Sequence, residues 1–390
     1  MSRAERRRPS TIEYMTASWD ICIRGGGIVG RTLALLLAQQ ANRVALVERP
    51  GGPGPDVRAY ALNETSRQLL SQMGCWPPPS LATPVQSMQV WGDAGGHVRF
   101  DAPGPLGLTT IVDVPALESL LDQALTQRPQ VTRVSEPVSA SLTVICEGRH
   151  STTRAELGID VERVPYQQHA LACRVQTEHP HRQQALQWFR QEGATPEILA
   201  LLPLDGPAGS QSAVIWSTSP ERAQQLLALS ETDFVFQLQA ASQGYLGQLA
   251  CSSARAVWPL QLTRAQTWCG EWSPGQAWVL AGDAAHAIHP LAGQGLNLGL
   301  ADAQALSEVL QARRGGSDYW RSLSDRHLLR RYERSRKANM LPTWLACDGL
   351  QRLFSHPNPT VQSLRNWGLS SFDRLGAVKR WTLQNAMRGH

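Results

Sequence analysis

The stretch "WDICIRGGGIVGRTLALLLAQQANRVALVERP", residues Trp19 to Pro50, changes its pattern three times. Asp20 to Arg24 is short and β-prone, and Arg31 to Gln40 has the composition of a buried helix. Arg43 to Val47 is a second β-prone segment, and a glycine-rich turn lies between the first segment and the helix. This order predicts a βαβ unit with two parallel strands, and therefore an α/β fold.

The turn has the spacing Gly25-x-Gly27-x-x-Gly30, and Glu48 ends the second strand. Gly25 allows the tight turn, Gly27 lets a pyrophosphate approach the backbone, and Gly30 lets helix and strand pack closely. The helix N-terminus offers N–H groups to phosphates, and Glu48 is placed to accept hydrogen bonds from ribose hydroxyls. The pattern predicts a dinucleotide site. A glycine-rich turn in another kind of α/β protein is the alternative.

A second stretch, "VLAGDAAHAIHPLAGQGLNLGLADAQAL" from Val279 to Leu306, indicates which dinucleotide is bound. A strand-like segment ends in Gly282-Asp283, and the turn Gly293-Gln294-Gly295 opens a predicted helix from Leu296 to Leu310. A carboxylate in this place suits the ribityl chain of a flavin. The helix N-terminus can point N–H groups at the pyrimidine carbonyls, where negative charge accumulates on reduction. This second motif favours FAD over NAD.

Length and composition limit the class of protein. With 390 residues the chain is expected to form two associated domains. Hydrophobic content of 42% and charged content of 18% are typical of a globular protein. The net charge of +5 comes from dispersed basic residues, which argues against a nucleic-acid partner. The seven scattered cysteines contain no C-x-x-C pair and indicate a reducing compartment, hence a cytoplasmic location.

The sequence also lacks three features that would point to other classes of protein. No apolar run approaches the ~18 residues needed to span a bilayer. Residues 1–18 are basic but lack the apolar core of a signal peptide, so we predict a disordered leader. His286 and His289 lie three residues apart with no third ligand nearby, so no metal site is predicted.

These motifs resemble the class A flavoprotein monooxygenases. The resemblance rests on the glycine motif, Glu48, "DVRAYALN" at 56–63 and "GDAAHAIHPLAGQGLNLGLAD" at 282–302. Within this class, "HPLAGQGLNLGLAD" and "LLRRYERSRKA" are most similar to the ubiquinone-biosynthesis hydroxylases. The implied fold is that of para-hydroxybenzoate hydroxylase, with a Rossmann-like FAD domain, an inserted β-sheet substrate domain and a helical C-terminal region.

The resemblance implies domain bounds and site residues. The FAD domain is expected at 19–82, 111–164 and 276–310, the sheet domain at 83–110 and 165–275, and the helical region at 311–390. Pro290 is the implied catalytic residue near the oxygen-reacting carbon of the flavin. His289 is added as a catalytic candidate that tunes the flavin or relays a proton, because imidazole titrates near neutrality; local backbone or packing contacts are the alternative for His286 and His289. The implied cofactor-binding residues are Gly25, Gly27, Ile28, Val29, Gly30, Glu48, Arg49, Arg58, Glu147, Gly282, Asp283, Pro290, Gly293, Gln294, Gly295, Leu296 and Asn297.

The implied chemistry is hydroxylation of an aromatic ring. NADPH or NADH, bound transiently, reduces FAD; dioxygen then forms a flavin C4a-hydroperoxide that transfers oxygen to the ring. The implied substrate is a polyprenyl-phenol intermediate of ubiquinone biosynthesis. A ubiquinone-biosynthesis complex and a peripheral contact with the inner membrane are the implied partners. Two alternatives stay open: a hydroxylase of a small soluble phenol, and a non-catalytic flavin-fold scaffold protein.

Three features depart from the family pattern. The usual Asp-Gly of the middle motif is Glu147-Gly148, followed by Ser151 and Arg154. Pro115 stands about where relatives carry a cofactor-contacting arginine or glutamine. Between residues 121 and 142 we could not fit the usual strands and hairpin. Each departure bears on FAD affinity.

The remaining unusual segment is the basic, helix-like stretch from Asp325 to Phe354. Pro342 is expected to interrupt or kink this helix. The stretch is interpreted either as packing against the FAD domain with a solvated basic side, or as a docking element for a membrane surface or a complex. The 13 tryptophans are interpreted mostly as core residues, with one or two available to line an apolar channel.

Overall fold

The computed structural model describes residues 19–48, 56–92, 95–192, 195–287, 295–315 and 318–355. Two large β-sheets dominate these residues, and a small three-stranded sheet lies beside the larger one. Among the described residues, no helix combines the length and the apolar character that crossing a bilayer requires.

The strands in chain order are β1 (Trp19–Arg24), β2 (Val44–Val47), β3 (Ala59–Leu62), β4 (Ala82–Pro84), β5 (Ser87–Trp91), β6 (His97–Asp101), β7 (Thr110–Asp113), β8 (Val131–Val134), β9 (Ala140–Ile145), β10 (Val161–Thr177), β11 (Gln184–Glu192), β12 (Thr195–Pro203), β13 (Gln211–Thr218), β14 (Leu249–Cys251), β15 (Ala256–Ala265), β16 (Cys269–Ser273), β17 (Gln276–Leu280) and β18 (His286–Ala287). The helices are α1 (Ile28–Gln39), α2 (Glu64–Gln72), α3 (Val114–Thr126), α4 (Thr152–Glu156), α5 (Pro220–Ala228), α6 (Glu231–Ala241), α7 (Gly295–Gly315) and α8 (Arg326–Ser355). A 3-10 turn spans Gly282–Ala284.

The first sheet has six strands in the order β16-β17-β9-β1-β2-β8. Strand β1 runs parallel to both β2 and β9, and Ile21 pairs with Val44 on one side and Leu142 on the other. All three of these side chains are fully buried, because helices cover this face of the sheet. Helix α1 contacts α3 and α7 in the same core. The predicted βαβ unit is therefore present at the centre of this sheet.

The second sheet has its main strands in the order β18-β15-β10-β13-β12-β11-β5-β6, with β14 pairing to β10. Its strands pair antiparallel except β5 and β11, which run parallel. Helices α5 and α6 cover one face, where Trp216 packs with Phe234. Ser219 and Ser230 begin these helices by accepting hydrogen bonds from backbone N–H groups.

The three-stranded sheet β3-β7-β4 packs against the opposite face of the second sheet. Ala59 and Ile111 from the small sheet share a buried cluster with Ala185 and Ala213 from the large one. Side chains alternate between the two faces of a strand, so the large sheet has a back covered by α5 and α6 and a front on which the small sheet packs.

The structure differs from the sequence expectations at four places. Helix α1 begins at Ile28, three residues before the predicted start, and α7 extends from Gly295 to Gly315. The segment between 121 and 142 does contain structure: α3 runs to Thr126, and β8 adds to the sheet beside β2. Strand β8 is therefore an element that the sequence analysis did not place in this segment. Helix α8 continues through Pro342 without interruption.

Candidate active site

The glycine turn after β1 is shaped by contacts with its neighbours. A side chain at Gly25, whose φ is +119°, would overlap the carbonyl oxygen of Cys146 at the end of β9. A side chain at Gly30 would overlap the carbonyl oxygen of Gly25. At Gly27 an added Cβ would meet nothing within 4 Å. Packing therefore requires glycine at 25 and 30, whereas the backbone at 27 borders open space.

The open space lies at the N-terminus of α1. Gly27 is the N-cap residue, and no side chain caps the helix. The first N–H groups of an α-helix have no partner within the helix, and the helix dipole adds partial positive charge there. Ile28 and Val29 belong to this first turn. Its geometry and charge suit a bound phosphate group.

The two motifs found in the sequence meet at Val29. A Cβ at Gly282, where φ is +62°, would lie 3.3 Å from Val29 Cγ1. A Cβ at Gly299 in α7 would lie 2.7 Å from Val29 Cγ2. The start of α1, the Gly282–Ala284 turn and the first turns of α7 thus pack against one another at Val29, although α1 is far from the other two in the chain. The open space that Gly27 borders beside this junction is called the crevice.

Asp283 lies half-buried in this crevice and shares it with several charged groups. Burial raises the pKa of its carboxyl group, an effect that His286, Arg149 and Arg58 oppose. Burial also raises the pKa of Tyr60, and the charge of Asp283 adds to that rise. Two arginines, a phenol and a carboxylate therefore share one electrostatic environment.

Arg58 is held in a fixed orientation by the segment around it. Its Nε donates to Asp56 Oδ1 at 2.8 Å, and NH1 donates to the Tyr60 hydroxyl at 3.0 Å. The hydrogen bond with Asp56 raises the pKa of the Arg58 guanidinium further above its ordinary value. Arg58 thus carries a permanent positive charge beside Asp283. The motif "DVRAYALN" contained Tyr60, but sequence reasoning did not assign it to the site.

Glu48 ends β2 as predicted, but its carboxylate already has protein partners. Arg31 Nε lies 3.1 Å from Oε1, and Arg133 NH1 lies 3.4 Å from Oε2. Arg31 belongs to α1 and Arg133 to β8, the strand that the sequence did not reveal. Binding of ribose hydroxyls by Glu48 stays a prediction.

Glu147, the departure from the family pattern, uses both oxygens within the protein. Oε2 accepts from Ser151 Oγ at 2.7 Å and from Thr153 N at 3.1 Å, and Oε1 accepts from Thr153 Oγ1 at 2.7 Å. Arg24 Nε lies 3.2 Å from Oε1. The side chain therefore holds the start of α4 and pairs with Arg24, directly before the glycine turn. A cofactor contact by Glu147 stays a prediction.

Asn297 likewise has partners for both ends of its amide. Oδ1 accepts from Asn63 N at 3.0 Å and from Ser66 Oγ at 2.8 Å, and Nδ2 donates to Ala61 O at 2.8 Å. The side chain joins α7 to the β3–α2 connection. Gly295 and Leu296 begin α7 beside it. The predicted residues Arg49, His289, Pro290, Gly293 and Gln294 lie outside the described residues.

Two residues that sequence reasoning gave no role hold the Gly282–Ala284 turn. Arg154 NH1 donates to Ala284 O and NH2 donates to Arg149 O, both at 2.7 Å. Asp302 Oδ2 accepts from Gly282 N at 2.9 Å. Arg154 was noticed as part of the middle motif and Asp302 as the end of the late motif. Neither pattern showed that both side chains converge on one turn.

Comparison with known proteins fits this geometry. Residues 106–340 match a family model described as an FAD binding domain. The chain is 31% identical to 3-demethoxyubiquinol 3-hydroxylase of Escherichia coli K12, covering 94% of this chain and 98% of that protein. It is 30% identical to ubiquinone hydroxylase UbiL of Rhodospirillum rubrum, covering 94% and 89%.

The chain belongs to the FAD-dependent aromatic monooxygenases. Among solved structures, p-nitrophenol 4-monooxygenase PnpA from Pseudomonas putida DLL-E4 superimposes with a TM-score of 0.73 at 19% identity, over 95% of this chain and 98% of that one. PqsL from Pseudomonas aeruginosa, a probable FAD-dependent monooxygenase, gives a TM-score of 0.69 at 19% identity, over 90% and 99%. The predicted family, fold class and FAD cofactor are confirmed. The protein is an NAD(P)H-dependent hydroxylase of the monooxygenase class.

The crevice fits FAD on its own chemistry. The uncapped α1 N-terminus and the open backbone at Gly27 match a diphosphate. Asp283 offers a carboxylate at the other side of Val29, where hydroxyl groups of a ribityl chain can donate. Arg58, whose guanidinium is paired with Asp56, lies close enough to Asp283 to oppose the burial that raises the pKa of its carboxyl group.

Proposed function

We propose that this monooxygenase hydroxylates an uncharged, prenylated phenol of ubiquinone biosynthesis. The names of its relatives support this substrate class. They include 3-demethoxyubiquinol 3-hydroxylase from Escherichia coli and a mitochondrial ubiquinone biosynthesis monooxygenase from Drosophila melanogaster, 29% identical over 98% of this chain.

The front face of the large sheet carries the proposal. Leu171, Cys173, Val214 and Trp216 point to the back, under α5 and α6. The residues between them therefore face the front, and those in the middle of β10, β12 and β13 are small or apolar. They include Ala170, Ala172, Ala200 and Ile215, whereas Ala213 is covered by the small sheet. Such a surface favours an apolar ring with an apolar substituent over a charged acid.

Among the described residues of its central strands, this face carries no unpaired arginine that could bind a substrate carboxylate. Within the described parts of β10 to β13, the arginine on the front is Arg174. Its NH1 lies 2.6 Å from Asp113 Oδ2, and its Nε donates to Val57 O at 3.4 Å. Because Arg174 is neutralised in this way, it is a poor partner for a substrate carboxylate. This supports a neutral phenol over a small aromatic acid.

The residues of this chain then divide the work. When bound, FAD supplies the redox chemistry: it takes two electrons from the nicotinamide nucleotide and, once reduced, activates dioxygen. The α1 N-terminus binds its diphosphate, Asp283 accepts hydrogen bonds from its ribityl hydroxyls, and the apolar front face orients the ring and excludes water. Roles for His289 and Pro290, the oxygen-transfer mechanism, the domain bounds, membrane contact and complex membership stay predictions.

The test is a profile of quinone intermediates in a strain that lacks the gene. We expect an under-hydroxylated prenylated phenol to accumulate, and plasmid-borne wild type to remove it. Asp283→Ala should fail to do so, whereas Asp160→Ala, a change at an exposed carboxylate, should succeed. Unchanged quinone levels in the deletion strain would overturn the proposed substrate. Purified enzyme that oxidises NADPH faster with a small carboxylated phenol than with a short-chain prenylated phenol would also contradict it.

A further inference from the structure

Helix α8 contributes a buried arginine to the turn that carries Asp283. Arg336 Nε lies 2.7 Å from Asp302 Oδ1. The other oxygen of Asp302 accepts from Gly282 N at 2.9 Å and from His286 Nε2 at 2.6 Å. The Asp302 side chain is 0% exposed, and those of His286 and Arg336 are 3% exposed. One carboxylate therefore joins α8 to both ends of the turn.

The ionised Asp302 carboxylate is the hydrogen-bond acceptor at the centre of this cluster. Burial alone would raise the pKa of Asp302, but His286 and Arg336 outweigh it and hold the pKa below its ordinary value. An ionised carboxylate can only accept hydrogen bonds, so Nε2 of His286 is the donor in its contact with Asp302. Arg336 also donates from NH2 to Leu298 O at 3.3 Å. The turn, α7 and α8 are thus joined through charge-assisted hydrogen bonds.

Neighbouring residues of α8 reinforce the same region. Tyr332 donates to Leu280 O at 3.1 Å, at the end of the strand that leads into the turn. Glu333 accepts from Trp268 N at 3.2 Å, and the Trp268 ring stacks on His286 with centroids 5.2 Å apart. The spacing of Tyr332, Glu333 and Arg336 places them on adjacent turns of one side of α8.

We infer that Arg336 is a positioning residue for FAD binding: acting through Asp302, it holds the Gly282–Asp283 turn and the His286 ring in the geometry that the cofactor needs. Asp283 belongs to the Gly282–Ala284 turn. Asp302, Arg336 acting through Asp302, and Arg154 restrain the backbone of this turn. The basic helix α8, which the sequence analysis interpreted as a packing or docking element, therefore contacts the turn that carries Asp283 through the buried Arg336–Asp302 ion pair. This inference rests on the proposed role of Asp283 in the site.

The experiment measures FAD affinity of the full-length protein after the flavin has been removed. Apoprotein is titrated with FAD at a temperature where thermal melts show every variant folded. Arg336→Met should weaken FAD binding about 10- to 100-fold, by analogy with residues that orient the ligands of a metal ion. Arg336→Lys keeps the charge and should lie between Arg336→Met and wild type. Arg334→Met removes an exposed charge two residues away and should stay within twofold of wild type.

A second readout separates positioning from general stability. Bound flavin should show an altered visible circular dichroism spectrum in Arg336→Met at saturating FAD, because the turn has shifted around it. Should Arg336→Met fail to fold, the pair Asp302→Leu with Arg336→Met removes both buried charges together, and weak FAD binding by that folded protein supports the inference. FAD affinity and flavin spectra equal to wild type in a folded variant would overturn it. If Asp283→Ala leaves FAD affinity unchanged, the proposed role of Asp283 fails and the inference fails with it; if Asp283→Ala lowers FAD affinity and folded Arg336→Met does not, the inference alone fails.

Discussion

Val29 and Gly299 lie so close that a methyl group on residue 299 would come within 2.7 Å of Val29 Cγ2. Val29 belongs to the first turn of α1 and Gly299 to α7, so this contact sets the distance between the phosphate-binding helix and the helix that follows Asp283. The cofactor crevice therefore depends on glycine at residue 299, because a side chain there would push α1 and α7 apart.

Gly299→Ala should destabilise the protein although alanine is the better helix former. The added methyl group must displace Val29, and overpacking of this kind costs about 1–3 kcal/mol. FAD affinity should fall as well, because the two helices separate. Chemical denaturation and FAD titration of the purified variant provide the measurements. The same change in a Val29→Ala background is the matched control and should be neutral or stabilising; an equal loss in both backgrounds would refute the steric explanation.

Glu147→Gln should lower stability by an amount that depends on pH. Burial alone would raise the pKa of Glu147, but hydrogen bonds from Ser151 and Thr153 outweigh it, so the folded-state pKa lies below the ordinary 4.5. A lowered carboxyl pKa stabilises the fold above pH 4.5, and that contribution disappears as pH falls through the folded-state value. We expect a loss of about 1–3 kcal/mol at pH 7 that shrinks below pH 4.5.

Urea denaturation at pH 7 and near pH 4 measures this difference, with the exposed Glu156→Gln as the control. A loss for Glu147→Gln of the same size at both pH values would mean that the ionised carboxylate is not the stabilising group.

Arg154→Met should weaken both the fold and FAD binding. Its hydrogen bond to Ala284 O is buried and the one to Arg149 O is partly buried, and removal of a charged donor costs about 1.5–3 kcal/mol for each bond that it made. Arg163→Met, at an exposed position on β10, is the control and should change stability by less than about 0.5 kcal/mol. Denaturation midpoints and FAD dissociation constants measure the two effects. Wild-type values for Arg154→Met would show that the turn holds its shape without this residue.

Arg174→Met should destabilise the contact between the large sheet and the segment that carries Arg58. The substitution leaves Asp113 without its cation, and removal of one partner from a buried pair costs about 3–5 kcal/mol in deeply buried cases. Because this pair is partly exposed, with 16% and 15% of the side chains accessible, the lower end of that range is expected. Thermal unfolding compares it with Arg182→Met, an exposed arginine in a turn. A shift no larger than that of the control would contradict this reading of the pair.

The local sequence was sufficient to predict the first βαβ unit and the different role of each of its three glycines. Gly25 and Gly30 are required by backbone contacts within a few residues or with the adjacent strand, and Gly27 borders open space. Spacing alone reveals such positions because the turn geometry repeats wherever a strand leads into a phosphate-binding helix. The late Gly282-Asp283 motif was recognised in the same way, and the structure brings it to Val29.

The tertiary structure alone decided which charged residues serve the site. Glu147 pairs with Arg24, and Asp302 pairs with Arg336, across long separations in the chain. In the sequence, Arg336 is one of several basic residues in "LLRRYERSRKA", and nothing local distinguishes it from the exposed Arg334. A charge is stable in the interior only where packing supplies an opposite charge and hydrogen bonds, and that depends on how distant strands and helices are brought together.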